Sequence, residues 1–500
     1  MLFNSYSFLI FFPAVVLIYF VVPKKIRYIW LLIASYYFYM SWDPKFAIFL
    51  GTSTLITYLG GLFLGATEKS QLKFKLGLKK AIVAVCFTAN LGILFYFKYF
   101  DFFIDSLNKL LSHFQIQAVN QPFDIILPVG ISFYTFQALS YTADIYRGKM
   151  DPEKNPLRYA LFVSFFPQII SGPIERAPHL LKQMQTMDKL VLWNYENVSR
   201  GFTLMLWGYF QKMVIADRIA ILVNTVFDNY YMYGSVELFV AAVGFALQIY
   251  CDFASYSNIA IGAAKIMGFD VMDNFNTPYF STSVSDFWKR WHISLSSWFR
   301  DYLYIPLGGN RCSKPRQYFN IMVTFLVSGL WHGASWNYII WGGLNGVYQI
   351  VGKITRPLKD KLNIKLHTRT ESFSYKFGQA LITFLLVDLT WIFFRLDNMA
   401  DGIYYCKRIF TKFDPWSLFN GNIYTLGLER FEFNILMVCL FVLLLVDLVK
   451  AIKNERIDVF LGKQCLWFRW SALFFLLFTI LVYGIYGMNF DSSQFIYFQF

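Results

Sequence analysis

The sequence predicts an all-α, polytopic integral membrane protein with about 11–13 membrane helices. Three observations carry this. Hydrophobic residues make up 57% of the 500 residues, aromatics 21% and charged residues only 15%, against about 25% charged in an ordinary soluble domain. The 56 Phe and 33 Tyr outnumber the 45 Lys/Arg and 31 Asp/Glu together, so the chain cannot cover itself with a polar surface. Apolar runs near the length of about 20 residues that a spanning helix needs recur along the chain, and the segments between them alternate between strongly basic and near-neutral. Disorder, a collagen-like fibre and a disulfide scaffold are excluded. The six cysteines are scattered with no CxxC and no His/Cys cluster, so no metal site is expected, and buried free thiols are the plain reading.

The first run, roughly Tyr6 to Val22, lacks a basic flank and a small-residue cleavage site and reads as a retained helix. Further runs start near Tyr28, Phe46, Ala81, Phe123, Tyr159, Gly201, Val236, Phe319, Trp336, Phe377, Phe433 and Trp470. No repeat or long linker interrupts them, so residues 1–500 read as one membrane domain with its core at 280–345.

The loops give the orientation, since basic loops stay on the inner side. Lys24, Lys25 and Arg27, the five lysines of 67–80, the seven Lys/Arg of 353–376 and the five of 450–469 mark inner loops, while 101–122 and 397–431 carry no excess of positive charge. Both termini are then expected outside, and the basic loop 280–316 inside. An even number of crossings must separate residues 158 and 280, yet three apolar runs lie there. Either one run does not span or 236–268 crosses twice. The net charge of +14 thus chiefly orients the chain, and no nucleic-acid partner is expected.

Ionisable groups at membrane depth are costly and are functional candidates by default. Of five histidines, His113, His179 and His367 fall in connections and read as solvated. His332 stands in Ser328-Gly-Leu-Trp331-His332-Gly333-Ala-Ser-Trp336-Asn337, with no other Asp, Glu, Lys, Arg or His between 317 and 352. Imidazole is the usual general base near neutral pH. Gly329 and Gly333 allow a close approach of backbone or substrate. Trp336 and Asn337 would share the face of His332 if the helix continued. The competing reading is a hydrogen-bonded histidine that joins two helices.

His292 lies in Asp286-Phe-Trp-Lys289-Arg290-Trp-His292, where basic residues and tryptophans alternate and Asp286 and Arg290 are spaced as a helical ion pair. One reading is an amphipathic interfacial helix. The other is the wall of an inner-facing cavity that holds a phosphate-rich donor by charge and stacking. The turn Pro306-Leu-Gly-Gly-Asn310-Arg311 is too weak for a phosphate loop. His332 falls toward the outer side and His292 toward the inner, which suggests a reaction joining an inner donor to an outer acceptor. No Walker motif, Rossmann glycine pattern or GxSxG elbow is present, which argues against an ATPase pump and a serine hydrolase.

Together with Leu127-Pro-Val-Gly-Ile-Ser-Phe-Tyr-Thr-Phe136, Ser171-Gly-Pro-Ile-Glu-Arg176, Gln248-Ile-Tyr-Cys-Asp252-Phe and the terminal Phe495-Ile-Tyr-Phe-Gln-Phe500, these segments resemble the membrane-bound O-acyltransferase (MBOAT) superfamily over nearly the whole chain. The resemblance is to its bacterial polysaccharide O-acetyltransferase branch, of alginate and peptidoglycan acetylation type. It implies helices ringed about a funnel or tunnel, His332 as the catalytic residue and His292 as the second histidine. It implies a bacterial cytoplasmic (inner) membrane location and no permanently bound cofactor. It further implies acetyl-CoA as donor, a polysaccharide acceptor and an extracytoplasmic SGNH-type acetyltransferase partner. Asp286, Lys289, Arg290, Asn310, Trp331, Trp336 and Asn337 are then expected to line the substrate or donor sites. Asn345 and Ser255-Tyr-Ser-Asn258 depart from relatives, which often have His at the first position and Gly-Tyr-Ser-Asp at the second. Two other functions compete: D-alanyl transfer to teichoic acid from a carrier protein, and transport without chemistry.

Overall fold

Length and composition leave the chain little choice but helix, because in lipid every backbone N–H and C=O must be satisfied within the segment. The computed structural model describes residues 1–69, 74–119, 126–190, 193–411 and 414–486, and contains no strand among them. Phe495–Phe500, one of the segments that carried the resemblance, and the run expected to start near Phe123 lie outside the described residues at those positions. Helix is described from Ile131 onward in the latter region.

The chain divides into two units, residues 1–202 with 260–272, and 203–259 with 273–500. The first holds α1 (Tyr6–Val21), α2 (Arg27–Met40), α3 (Phe46–Lys69), α4 (Lys75–Leu94), α5 (Phe100–His113), α6 (Ile131–Tyr146), α7 (Pro156–Ser164) and α8 (Ala177–Gln185). Its core is aromatic: Phe8, Phe11, Phe38 and Phe166 pack ring to ring. Residues 131–145 of α6 are all buried, and α6 starts at Gly130 with φ +74°, where a side chain would strike the Ile169 carbonyl.

The run near Tyr159 makes only the nine helical residues of α7, which rise about 14 Å against a hydrocarbon core of about 30 Å. The chain then continues without helix to α8. That irregular stretch is buried, and hydrogen bonds within the unit serve part of its polar groups. Gln137 and Gln168 donate to the Phe162 carbonyl at 2.6 and 3.2 Å, and the Phe166 amide donates to Ser35 at 3.1 Å. Non-helical backbone at membrane depth survives only under such cover. Segment 236–268 does not cross twice, because it forms one helix of 32 residues. Of the two alternatives, the structure fits the one in which a run is too short to span.

Helices α9 (Tyr195–Tyr209) and α11 (Ser235–Ile266) run through the boundary between the units. The second unit also holds α10 (Asp217–Phe227), α12 (Val284–Arg290), α13 (Ile293–Phe299), α14 (Lys314–His332), α15 (Trp336–Lys365), α16 (Phe373–Arg395), α17 (Met399–Phe410), α18 (Arg430–Lys453), α19 (Ile457–Gly462) and α20 (Leu466–Tyr483). Asp252, from the Gln248–Phe253 motif, has a structural explanation here. Lys212, buried in a π-helical turn between α9 and α10, sits 2.5 Å from Asp252 and 2.9 Å from Asp217. An ion so buried is tolerable only when paired.

Among the described residues, six segments are long and apolar enough to cross a membrane: α3, α4 running into α5, α11, α16, α18 and α20. The other runs also form helices, but these are shorter or carry more polar residues. A cavity of about 210 Å³ between α18, α19 and α20 is lined only by apolar side chains, including Trp207 and Phe475, and holds neither candidate histidine. All six cysteines are free.

Candidate active site

The site is built by a hairpin of α14 and α15. The two helices lie so close that a side chain at Gly329 would collide with the Tyr338 carbonyl, and one at Gly342 with the Phe325 carbonyl. Glycine at these two positions lets backbone meet backbone. Helix α14 stops at His332, because Gly333 is extended (φ −161°). A new helix starts behind the Ser335 cap, whose hydroxyl accepts from the Asn337 amide at 3.3 Å.

This break corrects one expectation. Trp336 and Asn337 do not continue the face of His332. Trp336 is exposed, and Asn337 is buried with its side-chain amide donating to the Leu396 carbonyl, which ties the start of α15 to the end of α16.

His332, 5% exposed, is surrounded by rings. Trp331 and Trp341 lie edge-on to it, each with its centroid 5.0 Å away, and Phe394 follows at 5.5 Å. Trp391 stacks on Trp341 at 5.6 Å. Trp341, Trp391 and Phe394 are site residues that the sequence reading missed. The available signal was the aromatic pair at i and i+3, Trp391 and Phe394, between Asp388 and Arg395 on an apolar helix. Asn345 ties the wall together. It accepts from the Trp288 indole at 3.2 Å and donates to the Thr390 hydroxyl at 3.3 Å.

His292 lies at the junction of α12 and α13, outside the six long spans, and its backbone is left-handed (φ +43°), a conformation a side chain adopts only when its surroundings force it. Its ring stands edge-on to Phe253 at 4.5 Å and to Trp331 at 6.1 Å. Both histidines therefore touch the same indole, and their rings are no farther apart than those two Trp331 contacts, 6.1 and 5.0 Å, laid end to end. The sequence reading put them toward opposite faces, whereas the fold brings them to one site. His292 Nδ1 is 3.1 Å from Asn274 Oδ1. Burial alone pushes its imidazole down to about 3, so it is neutral at physiological pH.

The expected donor-binding residues lie farther out. Asp286 and Arg290 form the anticipated i, i+4 pair at 3.1 Å. Lys289 is exposed. Asn310 is exposed and accepts from Tyr304 and Lys353 at 2.8 and 3.1 Å. His113, His179 and His367 are exposed. His179 pairs with the buried Glu175 at 2.8 Å, and that bond raises its pKa above the usual histidine range. No cluster of metal-ligating side chains occurs among the described residues.

The family model of the membrane-bound O-acyltransferases matches residues 151–393, which include both histidines, Trp331, Trp341 and Trp391 and end one residue before Phe394. A probable alginate O-acetylase of Pseudomonas aeruginosa is 38% identical over 439 residues, covering 84% of this chain and 77% of that one. This chain belongs to the membrane-bound O-acyltransferase family. The acyltransferase is also 34% identical to the peptidoglycan O-acetyltransferase of Helicobacter pylori, over 75% of this chain and 72% of the relative. The teichoic acid D-alanyltransferase of Bacillus subtilis is 31% identical, but over 48% of this chain.

Proposed function

We propose that this acyltransferase moves an acetyl group from cytosolic acetyl-CoA across the bacterial inner membrane for O-acetylation of an extracytoplasmic polysaccharide, directly or through an SGNH-type partner, with both termini outside. The observation that carries this reading is His332, the one Asp, Glu, Lys, Arg or His in the sequence between 317 and 352, closed in by Trp331, Trp341 and Phe394. His332 takes the proton of the attacking hydroxyl as its oxygen bonds to the acetyl carbon. The carbon–sulfur bond then breaks, and the thiolate leaves to be protonated. His292 supports and orients the donor side, and the outlying Asp286, Lys289, Arg290 and Asn310 supply polarity and charge at the inner mouth, where an anionic coenzyme would arrive. Trp336 and Asn337 hold no substrate in this reading.

The polysaccharide relatives match over three quarters or more of this chain, whereas the D-alanyl-transferring relative matches about half, which favours acetyl over D-alanyl. The test uses the full chain in proteoliposomes with labelled acetyl-CoA on one side and a polysaccharide acceptor on the other. Labelled O-acetyl ester is expected with the wild type, and its loss with His332→Ala at unchanged gel-filtration behaviour. Full transfer by His332→Ala overturns the reading. Transfer only from an acyl carrier protein favours the D-alanyl alternative, and solute flux with no acyl turnover favours a transporter.

A further inference from the structure

The His292 side of the site contains a hydrogen-bond arrangement that dictates more than position. Asn274 Oδ1 lies 3.3 Å from the Ser294 amide nitrogen, 2.7 Å from Ser294 Oγ and 3.1 Å from His292 Nδ1. A backbone N–H can only donate, so the atom facing it must be the oxygen of Asn274 and not its NH₂. The NH₂ is accounted for on the other side, where it donates to Ser257 Oγ at 3.0 Å. With the amide orientation settled, the atom of His292 that faces Oδ1 must also be a donor. Nδ1 therefore carries the hydrogen. Ser294 Oγ agrees: its hydrogen goes to Oδ1, so its 3.5 Å contact with Nδ1 can be made only by accepting.

We infer that Asn274 is a positioning residue that locks His292 as the Nδ1–H tautomer and leaves Nε2 as an acceptor nitrogen in the acyl-transfer site. The backbone reinforces the lock. The Ile293 amide donates to the Asn274 carbonyl at 2.9 Å, and the Asn276 amide to the Arg290 carbonyl at 2.9 Å. Asn274 thus grips both the ring and the strained backbone of His292. The segment is moored from the other end by Asp273, which pairs with Arg456 at 2.7 Å.

A neutral, Nδ1-protonated imidazole cannot hold a phosphate by charge. It can accept a hydrogen bond or a proton at Nε2, which narrows the role of His292 from an anion-binding group to an acceptor. The ionisable groups on the elements packed around it include Asp252 on α11, paired with Lys212; Asp273, paired with Arg456; Asp286 and Arg290 on α12, paired with each other; exposed Lys289; His332 on α14; and buried Asp388 on α16.

This inference rests on the acyl-transfer reading above, and the experiment separates the two. The pH dependence of acetyl transfer is measured for the full chain with wild type, Asn274→Ala and Asn274→Asp. A base that must be neutral loses activity as pH falls through its pKa. In the wild type that limb lies below the working range. In Asn274→Asp the carboxylate still accepts from Ser294 and from Nδ1–H but stabilises the imidazolium, so the acid limb should rise by about 1–3 pH units. Asn274→Ala releases the tautomer and should lower kcat about 10–100-fold with the donor KM unchanged. The isosteric Asn274→Asp decides alone if Asn274→Ala fails to accumulate. An Asn274→Asp profile superimposed on the wild type, or a rise in donor KM without a fall in kcat, overturns the inference. An active His332→Ala overturns the acyl-transfer reading instead.

Discussion

His292 and His332 touch the same indole, yet the contacts described around them differ. His332 is set by ring edges on three sides, at the end of a helix that stops there. His292 also meets ring edges, but it is held in addition by hydrogen bonds to a loop asparagine, on a backbone bent into the left-handed region. Apolar packing fixes where a ring sits but does not choose which nitrogen bears the proton, whereas a directional hydrogen bond does both. The difference teaches that the two sides of this site should fail differently when disturbed: the aromatic side through stability and access, the hydrogen-bonded side through proton placement and pH dependence.

The largest expected effect is on the chemistry. Removing the His332 imidazole should cost acyl transfer about 10²–10⁴-fold, the range for a lost general base. Transfer assays on the purified variant check this, with circular dichroism to show the helices intact.

The next effect is on the aromatic wall. Trp391, 2% exposed and stacked on Trp341, should destabilise the protein by about 3–5 kcal/mol when cut to alanine. Trp391→Phe should lose far less and keep donor KM near the wild-type value. Thermal unfolding in detergent measures both, and equal losses from the two would show that the wall does not depend on shape.

A smaller effect tests the mooring of the hydrogen-bonded side. Arg456 holds Asp273 at 2.7 Å and the buried Asp458 at 3.0 Å. Arg456→Ala should cost about 1.5–3 kcal/mol, the worth of hydrogen bonds to charged groups. A loss of activity larger than the loss of folded protein would show that the mooring reaches His292.

The smallest effect lies in the other unit. His179 has a raised pKa because of Glu175, so its contribution to stability is fully present below the ordinary histidine pKa and fades as pH rises through the raised one. His179→Gln should lower the melting temperature at pH 5.5 and leave it unchanged at pH 9. His179 is half exposed, so the shift should be slight.

Much of this was legible in the chain. The apolar runs, the isolation of His332 and the Asp286–Arg290 pair follow from composition and helical spacing, which are local properties. The two units, the end of α14 at His332 and the short α7 were not. Gly333 is a poor helix former, but so are Gly329, Gly342 and Gly346, which lie inside α14 and α15, and the Tyr159 run looks able to continue, so only packing decides. Asn274 left no trace at all, because its meaning depends on what lies 18 residues away.

The sequence by itself determined that this protein is helical and membrane-embedded. It also marked one histidine as the place for chemistry, because a bilayer penalises every charge and every unsatisfied backbone group wherever they stand. Only the tertiary structure decided that the two histidines share one indole, that Trp341, Trp391 and Phe394 close the niche and that Asn274 chooses the tautomer. Those facts rest on distances between residues far apart in the chain, and hydrogen bonds and ring contacts act only at contact range.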